Sequence, residues 1–390
     1  MLYEWSVKVA DGEIRDLVLD GRSQIRYGRT TADVQPEPTS ATLTMLTYDA
    51  APQLFANRPS YILNPNVIPT GFTTYWSDVY EGVDTVLTVG ARVQISIAGQ
   101  SGFTAEWVDI YTGGLAQSTR FDGHIVSLDY RPGEVQLTAA TKQENLGRVI
   151  VGAEGYPAQT DADRVKAISE DALVDIQVQP GTDQNLIAQE VESERTAWTA
   201  LQRIARDTGG LLYSTREGRL QYRQLGSYTP KTVSVDPLHT LVDPLLMSLD
   251  ISRIANEVQV QYGERDPDTG RRPTVNSSNA PMVDELGQRQ KDYILELADE
   301  ADAQARADWR TSLEPLWEVG TVQVFLKGAS KELQDDIANL ELGDVVTLPQ
   351  LLPGGPVDTY NGYLLGYTET ISADEWAFNL HLTPWDWNGV

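Results

Sequence analysis

The segment YNGYLLGY, residues 360–367, decides the fold because the segment FDGHIVSL, residues 121–128, has the same pattern. In each segment an aromatic residue stands two positions before a glycine, Gly362 or Gly123. An aliphatic residue follows that glycine at the second position, and a further apolar residue follows at the fifth. Apolar residues at alternate positions are typical of a β-strand with one buried face. Each segment therefore predicts a strand.

The likeness between the two segments continues on both sides. Gly90 and Gly343 lie upstream, and each has apolar residues at the third and fifth following positions. Downstream, a turn leads to an alternating strand that begins 12 residues after Gly123 and 14 residues after Gly362. Self-similarity of this kind is the signature of a repeated structural unit. We therefore predict two related antiparallel β-barrels, against the alternative that short hairpins look alike without forming a repeat.

Alternating apolar and polar residues predict strands along most of the chain. The clearest of these segments are residues 41–46, 92–97, 135–138, 257–262, 321–326 and 378–382. Turn residues such as Asp20-Gly21 and Arg131-Pro132-Gly133 punctuate the chain. The predicted fold class is therefore mainly β, with half-buried antiparallel strands.

Helical patterns are few and lie mostly in the middle of the chain. Thr160 precedes an apolar stripe at helical spacing and predicts a helix N-cap. A second helix is predicted to start near Thr196 and to end at Gly209-Gly210. A third helix is predicted over residues 299–313, and a hairpin over residues 211–224. These patterns predict three domains: a first β-barrel at residues 1–150, a smaller α+β domain at residues 151–245, and a second β-barrel with an acidic helix at residues 246–390.

Charge and hydropathy argue against nucleic acid and membranes as binding partners. The 390 residues include 56 Asp and Glu but 30 Lys and Arg, giving a net charge of −26. A surface this negative repels phosphates and anionic lipids, and the last predicted domain holds most of the excess. Residues 1–10 lack the apolar centre of a signal peptide, and no apolar run approaches the roughly 18 residues of a membrane span. We expect a soluble protein made in a cytoplasm, without membrane insertion.

The sequence carries no recognisable catalytic or metal-binding motif. It has no cysteine, and its three histidines, His124, His239 and His381, stand in no metal-ligand spacing. Nucleophile elbows and phosphate-binding glycine loops do not occur. Carboxylates are so abundant that a pair at glycosidase distance carries no information. We therefore expect no enzymatic activity, no cofactor and no metal, which makes a hydrolase the least favoured function.

One order of motifs runs through nearly the whole chain. The hairpin near residue 121 is followed by TAWxxLxxIAxxxGG at residues 196–210 and by IANEVQVQYG at residues 254–263. An acidic, alanine-rich helix comes next, and the chain ends in LGDVVTL, NGYLL and a last hairpin. In this order of motifs the sequence resembles the tail-tip or baseplate hub proteins of tailed bacteriophages, often described as minor tail proteins, and the related hubs of contractile injection systems.

The resemblance implies a homotrimer around a central channel, with two similar barrels in each subunit and six in the ring. Such a trimer adapts the six-fold tail tube or distal tail ring to a three-fold tip. The implied partners are therefore the distal tail or tail tube protein, and a tail fibre, spike or tape-measure protein. DNA would pass through the channel only in transit, and the implied location is the virion tail, assembled in the host cytoplasm.

Two groups of residues are candidates for a role in such an assembly. Asp299, Glu300 and Asp302 begin the acidic helix and are candidates for a channel-facing surface, because an acidic wall repels DNA phosphates. The alternative is that acidic residues keep a strand-rich protein soluble before it docks. Trp385 and Trp387 are candidates for a subunit interface, because aromatic residues dominate interface cores. They are also the sequence hint for an alternative function, a glycan-binding β-domain adhesin at the tail tip.

Two long polar stretches, residues 51–80 and 266–281, are predicted to be extended loops that become ordered on assembly. Within the second stretch, Asp266-Pro-Asp-Thr-Gly270 resembles the start of a calcium loop. Proline at its second position and the lack of a glutamate at the proper distance favour a β-turn instead.

Overall fold

The structure of the protein is a computed structural model that describes residues 4–9, 12–13, 23–28, 39–46, 92–98, 117–131, 134–189, 195–235, 237–241, 247–327, 329–351, 356–372 and 375–384. The loop predicted over residues 51–80 lies outside these ranges. The strands of the described ranges are β1 (Glu4–Val9), β2 (Gly12–Glu13), β3 (Ser23–Gly28), β4 (Ser40–Leu46), β5 (Arg92–Ala98), β6 (Gln117–Arg131), β7 (Glu134–Ala140), β8 (Ile150–Val151), β9 (Gln159–Thr160), β10 (Ile176–Gln179), β11 (Asn185–Leu186), β12 (Arg195–Thr196), β13 (Leu211–Ser214), β14 (Leu220–Arg223), β15 (Thr232–Ser234), β16 (Thr240–Leu241), β17 (Met247–Ser248), β18 (Glu257–Gln261), β19 (Thr274–Ser278), β20 (Gln290–Ile294), β21 (Glu318–Val319), β22 (Val322–Phe325), β23 (Val345–Pro349), β24 (Thr359–Ile371) and β25 (Trp376–Thr383). The α-helices of the same ranges are α1 (Asp161–Ala172), α2 (Ala197–Thr208), α3 (Ala280–Leu286), α4 (Glu300–Ser312) and α5 (Lys331–Ala338).

One large sheet joins strands from both ends of the chain. Its strand order is β16-β22-β25-β24-β3-β4-β7-β6-β5-β1-β2, and β23 and β15 are added beside β24. The pairings are antiparallel apart from the parallel pair of β15 and β23. The prediction of a mainly β fold is confirmed. Among the described strands, the order ends at β16 and at β2, so these strands form an open ladder and not a closed barrel.

The predicted repeat corresponds to two matching ladders within this sheet. The first ladder is β5-β6-β7-β4 and the second is β23-β24-β25-β22. Val93 of β5 lies opposite Gly123 of β6, and Val346 of β23 lies opposite Gly362 of β24. The two glycines that define the sequence pattern therefore occupy the same register position in the two ladders. We call these ladders the first and second repeats.

Both repeats also carry a β-bulge at the same distance from the glycine. The register of β6 against β7 shifts between Ile125 and Ser127, which places the extra residue at Val126. The register of β24 against β25 shifts between Leu364 and Gly366, which places the extra residue at Leu365. A bulge bends its strand and increases the local twist. The two long strands are therefore bent at equivalent positions.

Two hydrophobic cores lie on different parts of the chain. The first core contains buried residues of both repeats, from residues 25–139 and 319–382, together with Leu211 and Tyr213 of the β13–β14 hairpin. The second core is built from residues 146–307. It buries one face each of α1, α2 and α4 against short strands. The acidic helix α4 therefore packs with the middle of the chain, and the domain boundaries stay predictions.

The predicted Thr160 cap and the predicted start and end of α2 are confirmed. The side chains of Thr160 and Thr196 accept hydrogen bonds from backbone N–H groups three residues later, and Gly209 ends α2 in the left-handed region. These bonds satisfy donors that have no partner within the helix. Helices α3 and α5 were not predicted. The loop prediction for residues 266–281 was wrong, because residues 274–278 of that stretch form β19, paired with β18.

Candidate assembly site

The two repeats of one chain meet where β3 pairs with β24. The pairing is antiparallel and runs from Gly366 opposite Gly28 to Ile371 opposite Ser23. Strand β3 extends the first repeat by one strand, because its other edge pairs with β4. At Gly28, which has φ +82°, an added Cβ would lie 2.5 Å from the Leu365 carbonyl oxygen. The repeats are thus joined by main-chain hydrogen bonding and by a close backbone approach.

A buried ion pair crosses the same contact. The Arg120 guanidinium of β6 lies 2.9 Å from a carboxylate oxygen of Glu369 in β24, and both side chains have no solvent exposure. The Trp376 indole N–H donates to the same carboxylate at 2.8 Å, and Arg120 also donates to the Ala338 carbonyl. A buried charge is tolerated only when it is paired and hydrogen-bonded, and here both conditions are met.

The hairpin of β13 and β14 inserts a third element into this contact. Its turn residue Arg216 donates from Nε to the Tyr367 hydroxyl at 2.9 Å and from Nη2 to the Leu340 carbonyl. The Tyr27 hydroxyl of β3 donates to Glu341 at 3.1 Å, beside the same guanidinium. We call the group formed by Tyr27, Arg120, Arg216, Glu341, Tyr367 and Glu369 the junction.

The surroundings of two junction side chains, Tyr27 and Arg216, shift their pKa values. Burial, together with the Glu341 carboxylate, raises the pKa of Tyr27 well above its usual value, so that the hydroxyl stays protonated and donates. Burial lowers the pKa of Arg216, but Tyr367, Glu341 and Tyr27 more than offset this effect, and its pKa lies above the usual value. Tyr27 and Arg216 therefore both stay protonated across the physiological pH range.

The tip of the same hairpin contacts the first repeat. Gly218 has φ +72°, and an added Cβ would lie 2.4 Å from the Asp122 carbonyl oxygen of β6. Only glycine fits both this conformation and this distance. The middle of the chain is thereby held against both repeats, through Gly218 on the first and Arg216 on the second.

The structure places the predicted channel residues at the N-terminus of α4. Asp299 and Glu300 are exposed, and the Asp299 carboxylate accepts a hydrogen bond from the Asn185 amide at 2.8 Å. Asp302 is half-buried, and burial followed by the charge of Asp299 raises its pKa. The three carboxylates therefore lie together on one helix end, where the helix dipole favours them. That they face a channel remains a prediction.

The other predicted features have mixed outcomes. Trp385 and Trp387 lie outside the described residues, so their role at an interface stays a prediction. The β-turn at Asp266 is confirmed, because its side chain accepts from the N–H groups of Asp268 and Thr269 at 2.8 and 2.9 Å. Within the described ranges, no group of three or more acidic or histidine side chains could hold a metal ion. None of the helices in those ranges is both long and apolar enough to cross a membrane.

Sequence reasoning missed the junction residues Arg120 and Arg216. Alternation places Arg120 on the polar face, because its neighbour Phe121 is buried. A second bulge in β6 explains this burial, because Thr119 lies opposite Ser96 and Phe121 lies opposite Ile95, which leaves Arg120 as the extra residue. Arg120 and Phe121 can therefore both be buried. Arg216 stands in a turn, where an arginine is ordinarily exposed. Neither position carries a sequence signal for burial.

Solved structures with the same fold are tail proteins. The tail protein from Neisseria meningitidis MC58 matches with a TM-score of 0.62 and 15% identity, over 100% of this chain and 99% of the other. The 43 kDa tail protein of prophage MuSo2 from Shewanella oneidensis matches with a TM-score of 0.59 and 11% identity, over 98% of each chain. The chain has the fold of phage tail proteins. Prophage tail protein gp18 from Listeria monocytogenes EGD-e matches with a TM-score of 0.54 and 12% identity, over 96% of this chain and 94% of the other.

Comparisons of the sequence gave no match. No protein-family model matches the chain, and no curated protein sequence matches it. The phage-tail fold therefore rests on the arrangement of strands and helices along nearly the whole chain.

Proposed function

We propose that the chain is a structural protein of a phage tail, a trimeric hub at the tail tip or baseplate that joins the six-fold tail tube or distal tail ring to a three-fold tip. The observation that carries the proposal is the pair of repeats within one chain. Three chains with two equivalent repeats each can present six similar surfaces to a six-fold tube, and three to a tip. The tail-protein fold supports a structural role without catalysis.

The oligomeric state tests the hub. Size-exclusion chromatography with light scattering should give three times the 43.1 kDa of one chain, for the purified protein or for the protein released intact from tails. Purified tails should contain three copies of the chain for the one six-fold ring that it contacts. A monomer in solution, combined with a single copy in purified tails, would contradict the proposal.

The hub would line the path that DNA takes on exit. We propose that Asp299, Glu300 and Asp302 face this channel, because their carboxylates are clustered and two of them are exposed. A DNA duplex carries a high density of phosphate charge and would bind to a basic wall, whereas an acidic wall leaves it free to slide.

Charge reversal separates this role from ordinary solubility. Changing the three residues to lysine should slow DNA ejection from assembled particles while tails still form. The matched control changes three exposed acidic residues of the middle segment, Glu154, Glu170 and Asp175, to lysine. Equal ejection rates for both variants would assign the α4 carboxylates to an ordinary solvated surface.

A further inference from the structure

The long strands of the two repeats differ along one edge. In the second repeat, the edge of β24 that faces away from β25 pairs with β23 over residues 359–363 and then with β3 over residues 366–371. In the first repeat, the same edge of β6 pairs with β5 over residues 117–124. β7 pairs with the opposite edge of β6 up to residue 131. On the edge that faces β5, no described strand pairs with the continuation of β6, residues 126–131. Residues 127–131 of this continuation are the counterparts in sequence of residues 366–370 of β24, which pair with β3.

Side-chain burial follows the difference between the two edges. Leu365, at the bulge of β24, is 3% exposed, whereas Val126, at the bulge of β6, is 36% exposed. Tyr367 is fully buried against the Tyr27 ring of β3, with 5.1 Å between ring centroids. Its counterpart Leu128 is only partly buried. The edge of β6 thus has the apolar residues of a strand contact without a strand from the described residues on it.

Strand β16, at one end of the large sheet, occupies the position in the second repeat that β3 occupies in the first. In the first repeat, β3 lies next to β4; in the second repeat, β16 lies next to β22, which is the counterpart of β4. The outer edge of β3 pairs with β24, whereas no described strand pairs with the outer edge of β16. Strands β16 and β6 of one chain are separated by six strands in the ladder and do not pair.

We propose that the β6 edge at residues 126–131 pairs with β16 of a second copy of this chain. The contact repeats between copies the pairing that β24 and β3 make within one copy. First and second repeats then alternate around a ring, and the β6 and β16 edges that no described strand covers within one chain become paired, which removes a site for uncontrolled strand addition. This inference rests on the proposed hub and identifies the subunit surface that closes it.

Photocrosslinking on the full chain tests the proposed pairing. A benzoylphenylalanine placed at Asp129, an exposed residue of the β6 edge, should crosslink to the peptide containing residues 237–248. Oligomers assembled from a mixture of ¹⁴N- and ¹⁵N-labelled protein should give crosslinked peptides of mixed isotope, which proves contact between copies. The matched control places the same probe at Asp292, an exposed residue of β20, and should give no such product.

The oligomer mass distinguishes the two proposals. Trimers with mixed-isotope crosslinks from position 129 to residues 237–248 support both the hub and the edge pairing. Trimers whose crosslinks from position 129 are absent, or lead to other residues, overturn the edge pairing and leave the hub standing. A chain that is monomeric both in solution and in purified tails overturns both.

Val126→Lys supplies an independent readout. The side chain is already partly exposed, so the single subunit should fold, whereas the mixed-isotope crosslinks from position 129 should be lost. Ile150→Lys changes another exposed apolar residue, 56% exposed and outside the edge, and should leave the crosslinks unchanged. Retention of the crosslinks in Val126→Lys would overturn the assignment of this edge.

Discussion

The two repeats are alike in their ladders and unlike in what covers them. Gly123 and Gly362 stand at the same register position, and a bulge follows each glycine by three residues. The second repeat pairs with β3 and buries its own Leu365, whereas the first repeat keeps Val126 exposed. One architecture therefore serves twice, once for contact within the chain and once, as we propose, for contact between copies.

The difference separates the positions that set the backbone path of a repeat from the positions that contact a neighbouring strand. The ladder requires glycine, bulge and alternation, which set the backbone path of both long strands. The residues on the outer edge can differ between the repeats because each edge contacts a different neighbouring strand. Equivalent substitutions in the two ladders should therefore lower the unfolding free energy by similar amounts. Equivalent substitutions on the two outer edges should lower it by different amounts.

The largest effect is expected when the ion pair between the repeats is broken. Arg120→Met leaves the Glu369 carboxylate buried without its cation and should lower the free energy of unfolding by about 3–5 kcal/mol. Urea unfolding followed by tryptophan fluorescence measures the loss. The double variant Arg120→Met/Glu369→Leu removes both charges and should recover most of the stability; a double variant as unstable as the single one would show that packing, not charge, dominates.

A comparison of the bulge residues sharpens the contrast between the repeats. Leu365→Ala empties a buried position and should cost about 2–5 kcal/mol in the single subunit. Val126→Ala changes an exposed position and should alter the same quantity by no more than about 0.5 kcal/mol. Thermal or urea unfolding of the dissociated subunit distinguishes the two variants. Equal losses would mean that the two edges are covered alike.

The pattern glycines should behave as equivalents. An added Cβ would lie 2.4 Å from the Phe121 ring at Gly123 and 2.7 Å from the Tyr360 ring at Gly362. The same Cβ would lie 2.6 Å from the Ala140 carbonyl oxygen at Gly123 and 2.8 Å from the Leu382 Cβ at Gly362. Gly123→Ala and Gly362→Ala should each cost about 1–3 kcal/mol in unfolding free energy, because the covering ring and the neighbouring strand must both move. Gly147→Ala is the control, since no atom lies within 4 Å of its added Cβ. A loss of unfolding free energy in only one of the two variants would show that the packing around the two glycines differs although their registers match.

The smallest effect concerns pH at the contact between the repeats. Burial, together with the Arg26 charge, lowers the pKa of His381 below its usual 6.5. As pH falls through 6.5, the unfolded chain takes up a proton that the folded chain refuses, so stability is lost on acidification. Urea midpoints at pH 7.5 and pH 5.5 should differ less in His381→Gln than in the unchanged protein. An identical pH dependence in both would assign the loss to other groups.

Local patterns in the sequence predicted the ladders of this fold. Alternation located the strands, the two aromatic-glycine segments revealed the repeat, and Thr160 and Thr196 marked helix starts. Strand alternation, the aromatic-glycine pattern and helix capping each depend on residues within a few positions of one another, so a short stretch of sequence is enough to predict them. Helix α5 escaped prediction because its apolar face is short and its surface acidic.

Contacts between distant residues could not be predicted in the same way. Nothing near Ser23 or Ile371 indicates that β3 and β24 pair, because any alternating strand offers the same main-chain groups. Glu369 is one of 56 acidic residues, and its sequence neighbours do not distinguish it from the exposed ones. Arg120 is itself the extra residue of a bulge in β6, and that bulge is defined by the pairing of β6 with β5, which the sequence around Arg120 does not indicate.

The pairing of β3 with β24 has a consequence for how the protein is made. Tyr27 and Tyr367 are register partners 340 positions apart, so a ribosome at typical speed adds the second partner roughly 20–70 s after the first. During that interval β3 is an unfinished sheet edge on the nascent chain. Gln24 and Arg26 alternate with its buried residues, and polar or charged side chains of this kind discourage pairing with the wrong chain. Strand β3, which lies inside the finished sheet, is therefore protected against pairing with a wrong strand while the rest of the chain is synthesised.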